Sequence, residues 1–149
     1  MAKLLSYLII FIFFFTNSFG QSTSTCKELA ERGIAILNEN SYIPDGRYNS
    51  TLLKENEVSQ VYKPFIKGKK YMIVITADKV LPGFEVSLAD MTRKIIYNDS
   101  TSDNKIIFEY TPEKSQNLII SVKVNESEEV EKNLRGCVNI IIGSIRIID

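Results

Sequence analysis

The sequence contains no histidine and no tryptophan. It has only two cysteines and four prolines in 149 residues, and no excess of either charge, with 18 basic and 18 acidic side chains. Each absence excludes something. Without histidine there is no Ser-His-Asp or Cys-His nucleophile system, no HExxH zinc site and no imidazole proton shuttle. A formal charge of zero offers no basic face to neutralise phosphates, so no nucleic acid partner is expected. No internal repeat, heptad pattern or low-complexity tract is visible, and no cofactor is expected. What remains is ordinary for one globular domain: 44% hydrophobic and 24% charged residues, in a length that fits a single core.

The first twenty residues stand apart. Lys3 gives a short positive region, Leu4 to Phe15 are almost all apolar, and Ser18-Phe19-Gly20 sets small residues at −3 and −1 of a cleavage point before Gln21. This is the three-part pattern of a secretory signal peptide. As a membrane anchor the run is too short, since a span needs about 20 apolar residues. No later segment approaches that length, so the mature chain is expected to lack a transmembrane segment. A lipoprotein would need an apolar and small-residue approach to its cysteine, and Thr23-Ser24-Thr25 does not supply one before Cys26. The sequence therefore predicts a signal peptide over 1–20, cleaved after Gly20, and a single domain over 21–149 that is secreted or periplasmic. Residues 1–20 hold one lysine and no acid, so the 129 residues left carry a charge of −1.

Cys26 and Cys137 lie near opposite ends of that mature chain. Export places them in oxidising surroundings, and a reactive thiol would want a basic neighbour or a CxxC partner that neither has. A structural disulfide is expected, closing a loop of more than a hundred residues.

Cys26, Leu29, Ala30, Gly33, Ile34 and Leu37 recur at 3.6-residue spacing and predict an amphipathic helix over 25–38, capped by Ser24 or Thr25 with Glu28 completing a capping box. Cys26 falls on the buried stripe, which supports its bridge to Cys137. After the turn signal Pro44-Asp45-Gly46 the period changes to 2. Strands are expected over 58–66, with Pro64 marking an edge; over 71–76, apolar on both faces and so central; over 84–88; 93–97; 106–110; 118–124; and 137–148, with a bulge or kink at Gly143-Ser144. Asn98 to Asn104 reads as a turn, Asn125 to Arg135 as an exposed charged loop, and Lys67-Gly68-Lys69-Lys70 as a solvated hairpin turn. About seven strands after one helix, with no helix between strands, predict a mainly β fold. The expected architecture is an antiparallel β-sandwich, jelly-roll-like, with the N-terminal helix covering an edge or end.

Chemistry-bearing residues are few. Asp99 and Asp103 flank a polar turn with calcium-loop spacing, but an EF-hand would want Gly and Glu where Asn104 and Tyr110 stand. They remain a weak calcium candidate, and a solvated turn is the default. Tyr42, Tyr48 and Tyr62 fall in loop or edge segments and are candidate platforms for a sugar ring, although each could equally be a rim residue. Glu85, Asp90, Asp99 and Glu109 could supply a glycosidase pair, but spacing alone brings no two together. Three Asn-x-Ser/Thr triplets begin at Asn49, Asn98 and Asn125 and matter only in a eukaryotic secretory pathway.

With Cys26 on a leading helix, Gly46-Arg47, the F-x-x-G-x-x-Y strand opening at Phe65 to Tyr71, and Gly136-Cys137-Val138 running on to Gly143, the chain resembles small exported Bacteroidota β-sandwich proteins of uncharacterised function. The resemblance spans nearly the whole mature chain and implies a fold and an address rather than a mechanism. The segment Phe84 to Asp90 adds a looser likeness to domains appended to secreted bacterial peptidases. Those domains often carry acids where this chain has Pro82-Gly83, so no calcium site follows from the likeness. The resulting expectation is an exported, non-enzymatic binding or structural protein whose partner is a protein or glycan at the cell envelope. A carbohydrate-binding module and a small carboxylate-dependent hydrolase are the alternatives.

Overall fold

The structure, a computed structural model, describes residues 21–127 and 134–148, with side chains from Cys26 onward. The expected signal peptide, its cleavage point after Gly20 and part of the expected charged loop lie outside the described residues. Among the described residues one helix, α1 (Gln21–Glu39), precedes eight strands: β1 (Ile43–Lys54), β2 (Val58–Phe65), β3 (Lys69–Ala77), β4 (Phe84–Asp90), β5 (Ile95–Thr101), β6 (Lys105–Tyr110), β7 (Gln116–Val124) and β8 (Arg135–Arg146). They form two four-stranded antiparallel sheets, ordered β1-β8-β3-β6 and β2-β7-β4-β5. Among the described residues no helix is long and apolar enough to cross a membrane.

The two sheets share one core because their strands alternate in polarity. Ile73, Ile75, Ile140 and Ile142 from the first sheet meet Phe65, Phe84, Leu88, Leu118 and Ile120 from the second, all buried. Tyr97 stacks on Phe108 with centroids 4.2 Å apart, joining the two sheets at the β5–β6 side. The apolar double face of β3 follows from its place between β8 and β6 and beneath α1. Its Tyr71, Ile73 and Ile75 enter the inter-sheet core, while Met72 and Val74 enter a second core against the helix.

The helix lies on the outer face of the first sheet rather than at an edge or end, because its stripe is too wide for an edge. Leu29, Ala30, Gly33 and Leu37 are buried, and burying each leucine contributes about 2 kcal/mol. A methyl on Gly33 would sit 2.1 Å from Ile141 Cδ1, so only hydrogen lets the helix approach β8 this closely. Gly143 is used the same way: its missing side chain admits Leu37 and Tyr42, whose nearest atoms would lie 3.0 and 3.1 Å from an added Cβ. The expected kink at Gly143-Ser144 is absent, since β8 stays in unbroken register with β3 from Val138 to Arg146. The irregularity lies instead on β1, between Pro44 and Tyr48, where Gly46 has φ 77°.

Cys26 and Cys137 are joined by a disulfide across 111 positions of chain. The helix begins at Gln21, so the expected cap positions Ser24 and Thr25 fall inside it. Its other end closes as a Schellman turn: Ser41 takes φ 62°, and the Tyr42 amide donates to the Leu37 carbonyl at 2.9 Å. That turn delivers Tyr42 beneath the helix.

Three further boundaries differ from the sequence reading. There are eight strands, because Pro44-Asp45-Gly46 makes the bulge of an edge strand rather than a loop. β5 runs on through Thr101, absorbing Asn98 to Ser100, whose partners on β4 are Ser87, Val86 and Glu85. Lys67-Gly68 is not a hairpin turn, since β2 and β3 belong to different sheets. It is a corner, pinned where the Ile66 amide donates to the Tyr71 hydroxyl at 2.8 Å.

Candidate functional site

With α1 over the first sheet, the two outer faces of the molecule differ in kind. The face under the helix is apolar, apart from one row of polar residues. Ser50 and Asn139 hydrogen-bond side chain to side chain, Asn139 Nδ2 donates to the Cys26 carbonyl at 3.3 Å, and Thr76 Oγ1 donates to the Leu29 carbonyl at 3.3 Å. These bonds satisfy groups that burial would otherwise strand, and their role is to seat the helix.

The outer face of the β2-β7-β4-β5 sheet carries no helix. Its register sets out three rows across the four strands, one from each outward position. The first is Tyr62, Ile119, Ala89 and Ile95; the second is Gln60, Ser121, Ser87 and Asn98; the third is Val58, Lys123, Glu85 and Ser100. The middle row consists entirely of uncharged hydrogen-bonding side chains. Gln60 Nε2 donates to Ser121 Oγ at 3.0 Å, and the Tyr62 hydroxyl reaches Gln60 Oε1 at 3.4 Å. Small side chains in the centre and longer ones at the margins leave a groove of about 910 Å³, lined among others by Val58, Ser87, Ile95, Asn98 and Ser121. That is within the range of small-molecule sites.

One end of the groove is set by the β4–β5 connection. Asp90 Oδ1 accepts the Thr92 amide (2.8 Å), the Thr92 hydroxyl (2.6 Å) and the Lys94 amide (3.0 Å). The Thr92 hydroxyl and these backbone donors hold its carboxyl below the usual range. Arg93 takes the left-handed φ of 67° that the turn requires, and β5 then starts at Ile95 on the groove margin.

The three candidate tyrosines do not form one platform. Tyr42 is 4% exposed, not in an open loop, because the Schellman turn folds it under α1. Tyr48 is half exposed on β1, paired with Ile141 on the helix side of the first sheet. Only Tyr62, 58% exposed, stands on the same face as the groove, one row from its polar residues and outside its lining. The candidate calcium residues are likewise separated: Asp99 lies within β5, and Asp103 follows in the short turn before β6. The Asp99 carboxylate accepts the Tyr97 hydroxyl at 3.1 Å and the Ser100 amide at 2.8 Å. Among the described residues no cluster of three or more His, Cys, Asp or Glu could hold a metal ion.

Of the candidate acids, Glu85 stands on the outer face, paired with Ser100, while Asp99 is paired with inward-facing Val86 and bonded to Tyr97, whose ring lies in the inter-sheet core. Alternation directs the two side chains to opposite faces of the β4–β5 pair, although both residues are among those that line the groove. Glu109 belongs to another cluster, at the Tyr42 end of the helix. It accepts the Tyr42 hydroxyl at 2.5 Å on Oε1 and the Lys70 ammonium at 2.6 Å on Oε2. The Lys70 and Tyr42 hydrogen bonds lower its carboxyl, while burial and the same carboxylate raise the Tyr42 phenol.

Gln60, Ser87 and Ser121 were not singled out in the sequence, and Asn98 was noted only as the start of a triplet and of an expected turn. Each is an outward polar residue of a strand, as most strands have; only the pairing register puts them in one row. No protein-family model matches this chain, and no curated protein is similar to it in sequence.

Proposed function

We propose that this chain is an exported, non-enzymatic binding protein of the cell envelope or extracellular space, and that it holds its partner, a protein or a glycan, on the outer face of the β2-β7-β4-β5 sheet. The observation that carries the reading is the asymmetry of the two faces: one is sealed by a disulfide-tied helix, while the other bears a groove lined by Ser87, Asn98 and Ser121 of the uncharged polar row, beside Glu85, Asp99 and Lys123. The signal-peptide pattern of residues 1–20 and the oxidised cysteine pair both support export. The absence of histidine and the opposite orientations of Glu85 and Asp99 speak against acid–base chemistry in the groove. In its finer detail the fold is read as a jelly roll, since the strand orders β1-β8-β3-β6 and β2-β7-β4-β5 are those of two interleaved Greek keys. Kinship with the exported Bacteroidota β-sandwich proteins is part of the same proposal, and it supplies an address only.

A carbohydrate-binding module is the specific form favoured by Tyr62 beside the groove. The small hydrolase is the less supported alternative. The test is retention of the purified mature chain on envelope material from the producing cell, compared with a Ser121→Lys variant that places a long cation on the groove floor. Retention lost in the variant is expected. Equal retention by both proteins, or hydrolysis of a glycan or peptide abolished by Glu85→Gln, overturns the reading.

A further inference from the structure

The middle row of the groove is specific in what it offers. Gln60 and Asn98 at its two ends each carry an amide, that of Gln60 already donating to Ser121 and accepting from Tyr62, and Ser121 and Ser87 between them each carry a hydroxyl that donates and accepts. In the neighbouring row, Glu85 and Lys123 stand directly opposite each other and their charges offset, and with Asp99 also in the groove lining no anion is selected. On the other side runs an apolar row, with Tyr62 and Ile95 more than half exposed. A partner matched to this surface is uncharged, dense in hydroxyls that donate and accept, and apolar along one side.

We propose that the outer face of this sheet binds a neutral oligosaccharide laid across the strands, its hydroxyls on the Gln60–Ser121–Ser87–Asn98 row and its C–H faces on Tyr62 and the apolar row. This rests on the reading of that face as the binding surface. Three inter-strand steps span about 14 Å, room for a chain of about three sugar rings. Ala89, Ser87 and Ser121 keep the floor low beneath it. Tyr62, already hydrogen-bonded to Gln60 at 3.4 Å, offers a ring at one end whose hydroxyl is turned toward the polar row. An extended peptide would seek unpaired main-chain groups on the edge strands β2 or β5 rather than the face between them. A nucleic acid or sulfated polymer would need a cationic excess that the charge pattern lacks.

The experiment is calorimetric and NMR titration of the full mature chain with neutral gluco-, manno- and xylo-oligosaccharides of four to six rings, and with an oligouronate of equal length. At least one neutral series is expected to bind and the oligouronate is not. Asn98→Ala and Tyr62→Ala should each weaken binding by about tenfold, the loss of one good contact. Tyr48→Ala, on the opposite sheet, should leave binding unchanged. All three residues are exposed, and an unaltered thermal midpoint confirms that each variant is folded. Preference for the oligouronate, or neutral binding that is indifferent to Asn98→Ala and Tyr62→Ala, overturns the proposal. Absence of any oligosaccharide binding also overturns it, and the Ser121→Lys variant then separates two cases. If that substitution still abolishes envelope retention, the ligand class is wrong and the binding face stands; if retention persists, the face itself is wrong.

Discussion

Asn139 donates its side-chain amide to the carbonyl oxygen of Cys26 at 3.3 Å, while Cys137, two positions earlier on the same strand, is bonded to the Cys26 sulfur. One residue of the helix is thus tied to β8 both through its backbone and through its side chain. The covalent tie closes a 111-residue separation; in the chain-entropy picture such a loop is worth about 4–5 kcal/mol. Replacing both cysteines by alanine should therefore lower the free energy of unfolding by several kcal/mol in urea titrations. An intact mass that does not rise by two hydrogens on reduction would show the bond absent in solution.

Asn139 is fully buried, and its loss strands the groups it serves. Asn139→Ala should cost about 1–3 kcal/mol in the oxidised protein. Because both ties act on one residue, the two losses should not add. In the cysteine-free background the start of the helix is less constrained, and the cost of Asn139→Ala should fall. A four-protein cycle measured by denaturation reads the coupling.

Gly33 tests the seat of the helix. Alanine would gain about 1 kcal/mol of helix propensity, but its methyl meets Ile141 Cδ1 and forces a core side chain to move, a strain of about 1–3 kcal/mol. The net expectation for Gly33→Ala is a loss of about 1 kcal/mol of unfolding free energy, read as a lower urea midpoint. Gly33→Leu should instead lift the helix from the sheet and expose Val74 and Ile141, seen as new binding of an apolar dye.

The Tyr42–Glu109–Lys70 cluster gives stability two pH limbs. Glu109 is held below its ordinary 4.5, first by Lys70 and then by Tyr42, so its contribution is complete above that value and is lost as pH falls through the folded one. Tyr42 is raised above 10.0 by burial and by Glu109, so its contribution is complete below pH 10 and is lost as pH rises through the folded value. Urea midpoints from pH 3 to 12 should show both limbs. Tyr42→Phe should flatten the alkaline one, leaving the part due to Lys70, whose ammonium is raised chiefly by its hydrogen bond to Glu109. Glu109→Gln should remove the acid limb and reduce the alkaline one, leaving the part that burial gives Tyr42.

The turn at the groove margin is tested at Asp90 and Arg93. Asp90→Ala removes the acceptor of three hydrogen bonds and should speed amide exchange at Thr92 and Lys94, with little change in the core. Arg93→Gly relieves a left-handed backbone held by a non-glycine residue, and should raise stability by up to about 1 kcal/mol.

Periodicity made the large features readable. The stripe from Cys26 to Leu37, the apolar double face of β3 and the paired cysteines each follow from side-chain spacing, because burial enforces it residue by residue. Edges were harder. β1 is an outer strand with little to bury, so its Pro-Asp-Gly looked like a break when it was a bulge. Asn98 to Ser100 carry turn residues, yet they continue β5, because pairing to β4 outweighs local propensity. The binding face was least legible. Tyr42 drew notice for its type and proved buried, whereas the Gln60–Ser121–Ser87–Asn98 row depends on alignment between strands far apart in sequence, which no single segment encodes.

The first strand, β1, pairs with the last, β8, and β8 in turn lies between β1 and β3 and beneath the helix. β3 can pair with β6 and meet the helix earlier, but β1 has no partner in the first sheet until β8 arrives. A growing chain can complete neither the helix seat nor the first sheet until synthesis has passed Arg146. The β1 side of that sheet therefore stays open until β8 is made.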